Sequence, residues 1–311
     1  MPSLIPVYLE LIAVAVMWSH APVLIKYCLR YTGPWDLVIV RHVPATLVFL
    51  LFFALSRRRS SLVTMIRADW WRFLIVGFFA ISGYHFTLNT GTQYITAGTA
   101  ALIIGTVPVF TFLIAAAVLG ERTTWVRATG IVLAFAGLYV CVRYGGGQSL
   151  GVTYLLGALV TLIAPLFSAL FTTLSRPLSQ RYGGLNTAAL TIIFGTLPLL
   201  VTVTPSMVRP LPTLPGSFWA ALLFLSLGCT ALAYVFWAHA LKRLEATRVA
   251  VFIYAIPLLG LMWGRIYLGE RITVWLVFGG VMIVAGLVLT NRTASSRNGN
   301  GIPRIAPTET P

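Results

Sequence analysis

The sequence predicts an all-α polytopic membrane protein with about ten transmembrane helices, arranged as two five-helix inverted repeats. Of its 311 residues, 58% are hydrophobic and only 9% are charged, whereas a soluble globular chain usually carries about 25% charged residues. A soluble fold of this size would expose the excess apolar surface, which a bilayer covers instead. An internal repeat at an offset of 149 residues divides the chain into two halves.

The apolar runs have the length of membrane helices, which need about 20 residues to cross about 30 Å of hydrocarbon. Barrel strands are about ten residues long and alternate apolar with polar residues, whereas these runs are apolar throughout. Because lipid offers no partners for backbone polar groups, continuous helices are expected. The ten predicted spans are 5–25, 37–55, 73–94, 97–119, 126–142, 150–174, 186–203, 218–241, 249–268 and 274–289.

The distribution of positive charge predicts the orientation of these spans. The net charge is +15, and cytoplasmic loops of membrane proteins are rich in Lys and Arg. With the N-terminus inside, fifteen of the 22 Lys and Arg residues fall in inner segments and six in outer ones, while Arg41 lies within a span. We therefore expect a cell-membrane protein with both termini cytoplasmic and no nucleic-acid partner. The polar segment 291–311 is predicted to be a disordered cytoplasmic tail.

A repeated motif divides the chain into two similar halves. Residues 119–122 read Leu-Gly-Glu-Arg, and the same four residues recur at 268–271. The same offset relates Pro108 to Pro257. We assign the repeats to residues 5–143 and 150–290, each with five spans. Because five is odd, the second half enters the membrane upside down. This inverted arrangement is typical of secondary transporters, which bind their substrate near the midplane between the halves.

The residues that carry the repeat also resemble a known family, the EamA-type members of the drug/metabolite transporter superfamily. The matching residues are Ala97, Pro108, the motif at 119–122, Gly130 and Gly137, with their equivalents Ala246, Pro257, the motif at 268–271, Gly279 and Gly286. The resemblance covers residues 5–290. It implies transport of amino acids or other small metabolites, by export or uptake, and does not specify which compound is moved.

Two prolines are predicted to interrupt helices near the middle of the membrane. Pro108 and Pro257 each lie about eleven residues into a span. A proline has no amide hydrogen and displaces the carbonyl four residues earlier, which here belongs to Ile104 and Ile253. Two interpretations remain open. The breaks either shape helix packing alone or also lie on a solute pathway, where bare carbonyls are tolerated.

The motif glutamates, Glu121 and Glu270, lie just past their spans and before the next helix. A carboxylate near a helix N-terminus is favoured by the helix dipole. The two residues could therefore anchor helices, or they could act as gates at opposite membrane faces.

Few ionisable residues lie inside the spans, where each costs about 2.5–3.5 kcal/mol at a helix centre and invites a functional hypothesis. Arg41 could reach outward to water or bind a substrate carboxylate. His85 and Asn89 share one helix face, and the repeat places Tyr234 at the position equivalent to His85. The predicted substrate-binding residues are Trp18, His20, His85, Asn89 and Tyr234. The possible coupling residues are Glu10, His85 and Arg41.

These observations favour a secondary transporter that exports a small organic metabolite, an amino acid or a similar compound, across the plasma membrane by alternating access. A channel or a lipid-flipping protein on the same scaffold is the alternative, followed by a membrane-embedded enzyme. The seven acidic residues form no close pair in sequence, so no enzymatic activity is expected. The three cysteines lack metal-ligand spacing, so no metal or other cofactor is expected. The oligomeric state is not specified by the sequence.

Overall fold

The computed structural model describes residues 4–55, 59–119, 125–144 and 151–292, in which all regular secondary structure is helical. The first half contains α1 (Ile5–Cys28), α2 (Pro34–Leu55), α3 (Arg59–Gly77), a π-helical segment (Phe78–Gly83), α4 (Tyr84–Thr92), α5 (Ala97–Ile104), α6 (Val107–Leu119) and α7 (Trp125–Tyr144). The second half contains α8 (Val152–Tyr182), α9 (Gly184–Leu200), α10 (Pro205–Val208), a 3₁₀ turn (Leu211–Thr213), α11 (Gly216–Leu223), a π-helical segment (Phe224–Leu232), α12 (Ala233–Arg243), α13 (Ala246–Ala250), a 3₁₀ turn (Val251–Tyr254), α14 (Ala255–Leu268) and α15 (Val274–Arg292).

Eight helical stretches within the described ranges are long and apolar enough to cross a membrane. They are Ile5–Cys28, Pro34–Leu55, Leu62–Thr92, Ala97–Ile114, Trp125–Tyr144, Val152–Tyr182, Gly216–Arg243 and Arg248–Leu268. A ninth span is reached if α9 and the segment Pro205–Thr213, which are bent by 116° relative to each other, form one span. The apolar helix Val274–Thr290 is shorter than these stretches. The all-helical membrane class is confirmed, and ten crossings remain a prediction.

Two spans extend beyond their predicted ends. The span predicted at 73–94 is preceded by helix from Arg59, with a kink at Asp69 (φ −137°, ψ 23°). The span predicted at 150–174 continues through Pro165 and Pro177 to Tyr182. A span predicted from hydropathy ends where polar residues begin. Hydropathy therefore does not show whether the helix continues beyond that point.

The two extensions bind each other through the Asp69 carboxylate, which is buried. It accepts a hydrogen bond from Arg181 at 2.9 Å and one from the Tyr182 hydroxyl, and it pairs with Arg72 at 3.1 Å. This cluster joins α3 to the far end of α8.

The helices that the repeat makes equivalent, α7 and α15, pack against each other through glycines. A Cβ on Gly130 would lie 2.6 Å from the carbonyl oxygen of Gly286, and one on Gly137 would lie 2.6 Å from that of Gly279. Since the earlier glycine of α7 meets the later glycine of α15, the two helices run antiparallel. The 149-residue offset exchanges these two contacts, as expected for inverted repeats.

The apolar interior is shared between the halves. The larger cluster of buried residues includes Leu11 and Phe73 from the first half and Phe218 and Trp237 from the second. A smaller cluster packs α5, α6 and α7 against α8, α14 and α15. Neither half therefore encloses its core alone.

We expect Gly130→Ala to destabilise the protein because its methyl group would overlap the backbone of α15. Overpacking of this kind costs about 1–3 kcal/mol, and thermal unfolding of the detergent-purified protein measures it. Gly216→Ala is the control because nothing lies within 4 Å of the added carbon. Equal unfolding temperatures for the two variants would contradict the glycine contact.

Candidate functional site

A cavity lies where the two halves meet, with about 550 Å³ of unfilled space including its mouth. Trp18 of α1, Arg41 of α2 and His85 of α4 contribute to its walls from the first half, and Phe171 of α8 and Tyr234 of α12 from the second. Most of the remaining wall residues are aliphatic. Within the described ranges, Arg41 carries the one permanent charge in the wall.

The side chain of Arg41 is held in the cavity wall and does not reach outward, since the residue is only 2% exposed. Its Nε donates to the Thr230 hydroxyl at 3.1 Å, and its Nη1 lies 3.3 Å from Nδ1 of His85. In the part of the chain that the structure describes, no carboxylate lies within 4.0 Å of the guanidinium. A buried charge without a counter-ion in a membrane-spanning region is by default a functional hypothesis.

The π-helical segments occupy equivalent positions in the two repeats and supply hydrogen-bond acceptors to the wall residues Arg41 and Tyr234. Residues 78–83 correspond to residues 227–232 by the 149-residue offset. In the second segment, the Thr230 hydroxyl bonds to the carbonyl of Leu225, five residues back, and also accepts from Arg41. In the first, the Ala80 carbonyl accepts from the Tyr234 hydroxyl at 2.9 Å. Short π turns often mark functional sites because they realign the helix and leave backbone groups available.

The aromatic wall of the cavity is fixed by a few specific contacts. Trp18 donates its indole N–H to the carbonyl of Cys229 at 2.8 Å. Its ring centroid lies 6.0 Å from that of Tyr234 and 4.9 Å from that of Trp237. Phe171 stacks on Tyr234 at 5.2 Å. These rings form a rigid apolar surface beside the charged group.

The two proline breaks meet at the same cavity. Helix α5 ends at Ile104 before the turn at 105–106, and the 3₁₀ turn Val251–Tyr254 interrupts the equivalent span. Ile104 and Ile253 both line the cavity, and neither carbonyl can receive the usual helical bond because Pro108 and Pro257 have no amide hydrogen. Placement beside the cavity favours the interpretation in which the breaks lie on a solute pathway.

The structure brings together three of the five predicted substrate-binding residues, namely Trp18, His85 and Tyr234. His20 lies outside the cavity wall and stacks on Trp263, with ring centroids 4.0 Å apart. Asn89 is fully buried behind the wall, where its amide donates to the carbonyl of Pro34 at 3.1 Å.

The predicted coupling residues lie in two different places. Arg41 and His85 are adjacent in the cavity wall. Glu10 is outside the wall and pairs with Nδ1 of His239 at 2.7 Å, which joins α1 to α12.

Glu270 caps a helix of the opposite repeat. Its carboxylate accepts hydrogen bonds from the amides of Ala97 at 2.7 Å and Gly98 at 3.0 Å, at the N-terminus of α5. Nearby, the ammonium group of Lys26 donates to the carbonyl of Thr92 at 3.2 Å and to that of Ile95. The connection between α4 and α5 is thus held both by α1 and by the second half. Glu121 lies outside the described residues.

Thr230 accepts a hydrogen bond from the wall residue Arg41, and the sequence did not predict this contact. A threonine hydroxyl in an apolar span is uncharged and can donate a hydrogen bond to a carbonyl of its own helix. Composition therefore gives no reason to select Thr230 as a functional residue. Hydrophobic periodicity also does not distinguish a π turn from an α turn. The signal that exists is spatial, because Thr230 receives a hydrogen bond from Arg41, 189 residues away.

Comparison with known proteins agrees with this architecture. The model of the EamA-like transporter family matches the chain twice, at residues 5–143 and 155–292. The chain belongs to the EamA-like transporter family. The resemblance seen in the sequence is confirmed, and this EamA-like chain is a multi-pass membrane transporter.

Relatives of this EamA-like transporter align over nearly their whole length. A "probable terminal-alkyne amino-acid exporter" of Streptantibioticus cattleyicolor is 30% identical over 290 residues, which cover 92% of this chain and 94% of that protein. An "uncharacterized transporter" of Archaeoglobus fulgidus is 27% identical over 288 residues, covering 92% and 98%. One solved crystal structure has a TM-score of 0.66 at 19% identity, covering 96% of this chain and 100% of that one. That structural similarity shows the fold alone.

We predict that Glu270→Ala will lower the free energy of unfolding by about 2 kcal/mol, because two amides at the start of α5 lose a charged acceptor. Glu270→Gln should recover part of the loss, since one carbonyl oxygen remains. Thermal unfolding of purified protein measures both variants. Glu245→Ala is the matched control because Glu245 is exposed and lies 3.9 Å from its partner Arg248. A loss no larger than that of the control would rule out the cap as a stabilising contact.

Proposed function

We propose that this transporter is a secondary transporter that moves a small organic metabolite with a carboxylate, an amino acid or a similar compound. The observation that carries the proposal is Arg41, a buried guanidinium in the cavity wall without a carboxylate partner in the described part of the chain. Two of its nitrogens contact Thr230 and His85, and a guanidinium has five N–H donors. A substrate carboxylate would supply the missing counter-charge.

The other walls suit the remaining parts of an amino acid. The carbonyl of Ile104, which Pro108 cannot satisfy, is a candidate acceptor for an ammonium group. Trp18, Phe171 and Tyr234 offer an apolar surface for the side chain. An amino acid with an apolar side chain is therefore the first compound to test.

Alternating access is supported by the way the two halves contact each other. The glycine contacts between α7 and α15 are related by the repeat, and the cavity has walls from both halves. Glu270 of the second half holds the start of α5 in the first. In transporters built from inverted repeats, rocking of one half against the other exposes a central site to each side in turn.

Export is the proposed direction, and the relative named a "probable terminal-alkyne amino-acid exporter", which is 30% identical to this chain, supports it. The Lys and Arg distribution supports the plasma membrane with both termini in the cytoplasm. Contacts near the helix ends agree with the proposed topology. Lys26 meets Ile95, Glu10 meets His239 and Asp69 meets Arg181, and each pair falls on one predicted membrane face.

Counterflow in proteoliposomes tests the function. Vesicles preloaded with unlabelled L-leucine or L-phenylalanine should accelerate entry of the same labelled compound, and Arg41→Gln should reduce apparent affinity by about 10- to 100-fold through loss of a charged hydrogen-bond donor. Arg41→Lys should recover only part of it, because an ammonium lacks the bidentate fork. Arg143→Gln, an exposed arginine beside Tyr144, is the control.

The same experiment separates the alternatives. Flux that rises linearly with concentration, without counterflow, would indicate a channel. Chemical conversion of the labelled compound would indicate an enzyme. Wild-type affinity in a well-folded Arg41→Gln variant would remove Arg41 from the binding site.

Cysteine labelling tests the proposed orientation. The three native cysteines are buried, so introduced cysteines should dominate reaction with a membrane-impermeant maleimide. We expect Thr213→Cys, on the predicted outer side, to react in intact cells, and Lys242→Cys, on the predicted inner side, to react only after permeabilisation. Both positions are exposed. The reverse pattern would place the termini outside.

A further inference from the structure

The bond between Arg41 and His85 defines where the histidine carries its hydrogen. Nη1 of Arg41 lies 3.3 Å from Nδ1 of His85. A guanidinium can donate hydrogen bonds and has no acceptor. Nδ1 must therefore present its lone pair, and the hydrogen of the neutral ring is on Nε2. In the structure, this Nε2 is buried and has no hydrogen-bond partner.

A proton and Arg41 consequently compete for one nitrogen. Protonation of His85 requires the Nδ1 lone pair, which Nη1 of Arg41 occupies. The added proton would also place a second positive charge beside a guanidinium that has no carboxylate partner in the described part of the chain. Like charges at this distance disfavour the protonated form. In the cavity without substrate, His85 is thus kept neutral by geometry and by charge.

A bound carboxylate would remove both obstacles. It would accept from the free N–H groups of Arg41 and draw Nη1 away from His85, while Nε stays on Thr230. Its negative charge would offset the guanidinium, and a protonated His85 could then donate to it. We infer that His85 takes up one proton together with the substrate carboxylate, so that this transporter couples the substrate to H⁺ in the same direction. The inference rests on the proposed function.

Among the described residues, His85 is the one imidazole whose ring nitrogen is seen within hydrogen-bond distance of the Arg41 guanidinium. The ring of His42 lies 4.6 Å from that of His85, but its Nδ1–H donates to the carbonyl of Val38 at 2.6 Å. The other titratable groups around the pair are Tyr84, Tyr234, Cys28 and Cys229. The wall residues from α5, α6, α8, the 3₁₀ turn and α14 carry no titratable group; they are Ile104, Val107, Ser168, Phe171, Ile253 and Ile256.

The proton balance is simple. A proton from the solution on one side binds Nδ1 of neutral His85, and the N–H bond breaks again when the carboxylate leaves on the other side. One proton moves per carboxylate. An acidic exterior would then drive uptake, whereas export down the substrate's own gradient would carry a proton out.

The test counts protons per substrate molecule in proteoliposomes of the full-length protein. The vesicles contain a pH-sensitive dye, the membrane potential is clamped with K⁺ and valinomycin, and the probe is labelled L-leucine or L-phenylalanine. We expect about one proton per molecule for the wild type and at least a fivefold lower ratio for His85→Asn. Asparagine can accept from Arg41 but does not take up a proton. His42→Asn is the matched control, because it keeps a donor for Val38, and it should retain the wild-type ratio.

The outcomes separate the inference from the proposed function. Counterflow without proton movement in the wild type would overturn the inference and leave the proposed transport intact. A full proton ratio in His85→Asn would exclude His85 as the proton site. Absence of counterflow for both amino acids would overturn the proposed function and the inference with it. The number of protons moved per substrate molecule does not depend on the transport rate of a variant. If His85→Asn does not fold, His85→Gln and the wild-type ratio test the inference instead.

Discussion

Polar groups without water around them must find partners inside the protein, and this constraint determines where the chain can depart from regular helix. Four of the departures in the described residues, the two π-helical segments and the two proline breaks, lie around one cavity. The π-helical segments supply acceptors for Tyr234 and a hydroxyl for Arg41, and the proline breaks place Ile104 and Ile253 in the same cavity wall. Irregular backbone is tolerated where protein or a wet cavity covers it. Such a site is a hydrogen-bonding surface in an apolar medium, which is what recognition of a small polar solute requires.

The contacts between the two halves are of two kinds. The α7–α15 pair relies on backbone approach at Gly130 and Gly137, which van der Waals packing favours in lipid. The Glu270 cap is directional and charged. It binds the N-terminus of α5, which is one helix of the broken span that lines the cavity. A rearrangement of the halves that moved α5 would have to break or carry this cap. The packing between α7 and α15, in contrast, could persist as a unit.

The sequence predicted the helices, the repeat and the family because these depend on residue type and periodicity. It also selected Trp18, His85 and Tyr234, which line one cavity in the structure, and their role in substrate binding stays a prediction. It did not distinguish a polar group that lines a cavity from one buried behind it. Asn89 shares a helix face with His85, yet its amide is taken by the carbonyl of Pro34, and His20 is covered by Trp263. The helices that contain the spans predicted at 73–94 and 150–174 continue beyond 73 and 174, which hydropathy also did not predict. Many residues beyond them are polar, and the tertiary cluster at Asp69 joins the two extensions.

The two repeats differ at the residues that form the hydrogen-bonded group around Arg41. By the 149-residue offset, Arg41 corresponds to Leu190, Thr230 to Ile81 and His85 to Tyr234. Duplication gives a cavity with two similar walls, and these three differences give it one charged end. A substrate held by its carboxylate at Arg41 would therefore be oriented by the first half, with its apolar part on rings that include Phe171 and Tyr234 of the second. If the halves rock as proposed, the charged contact would stay with one of them while the apolar contact slides. A uniform apolar contact has little directional preference, so this division would let the substrate remain bound through the proposed change of access.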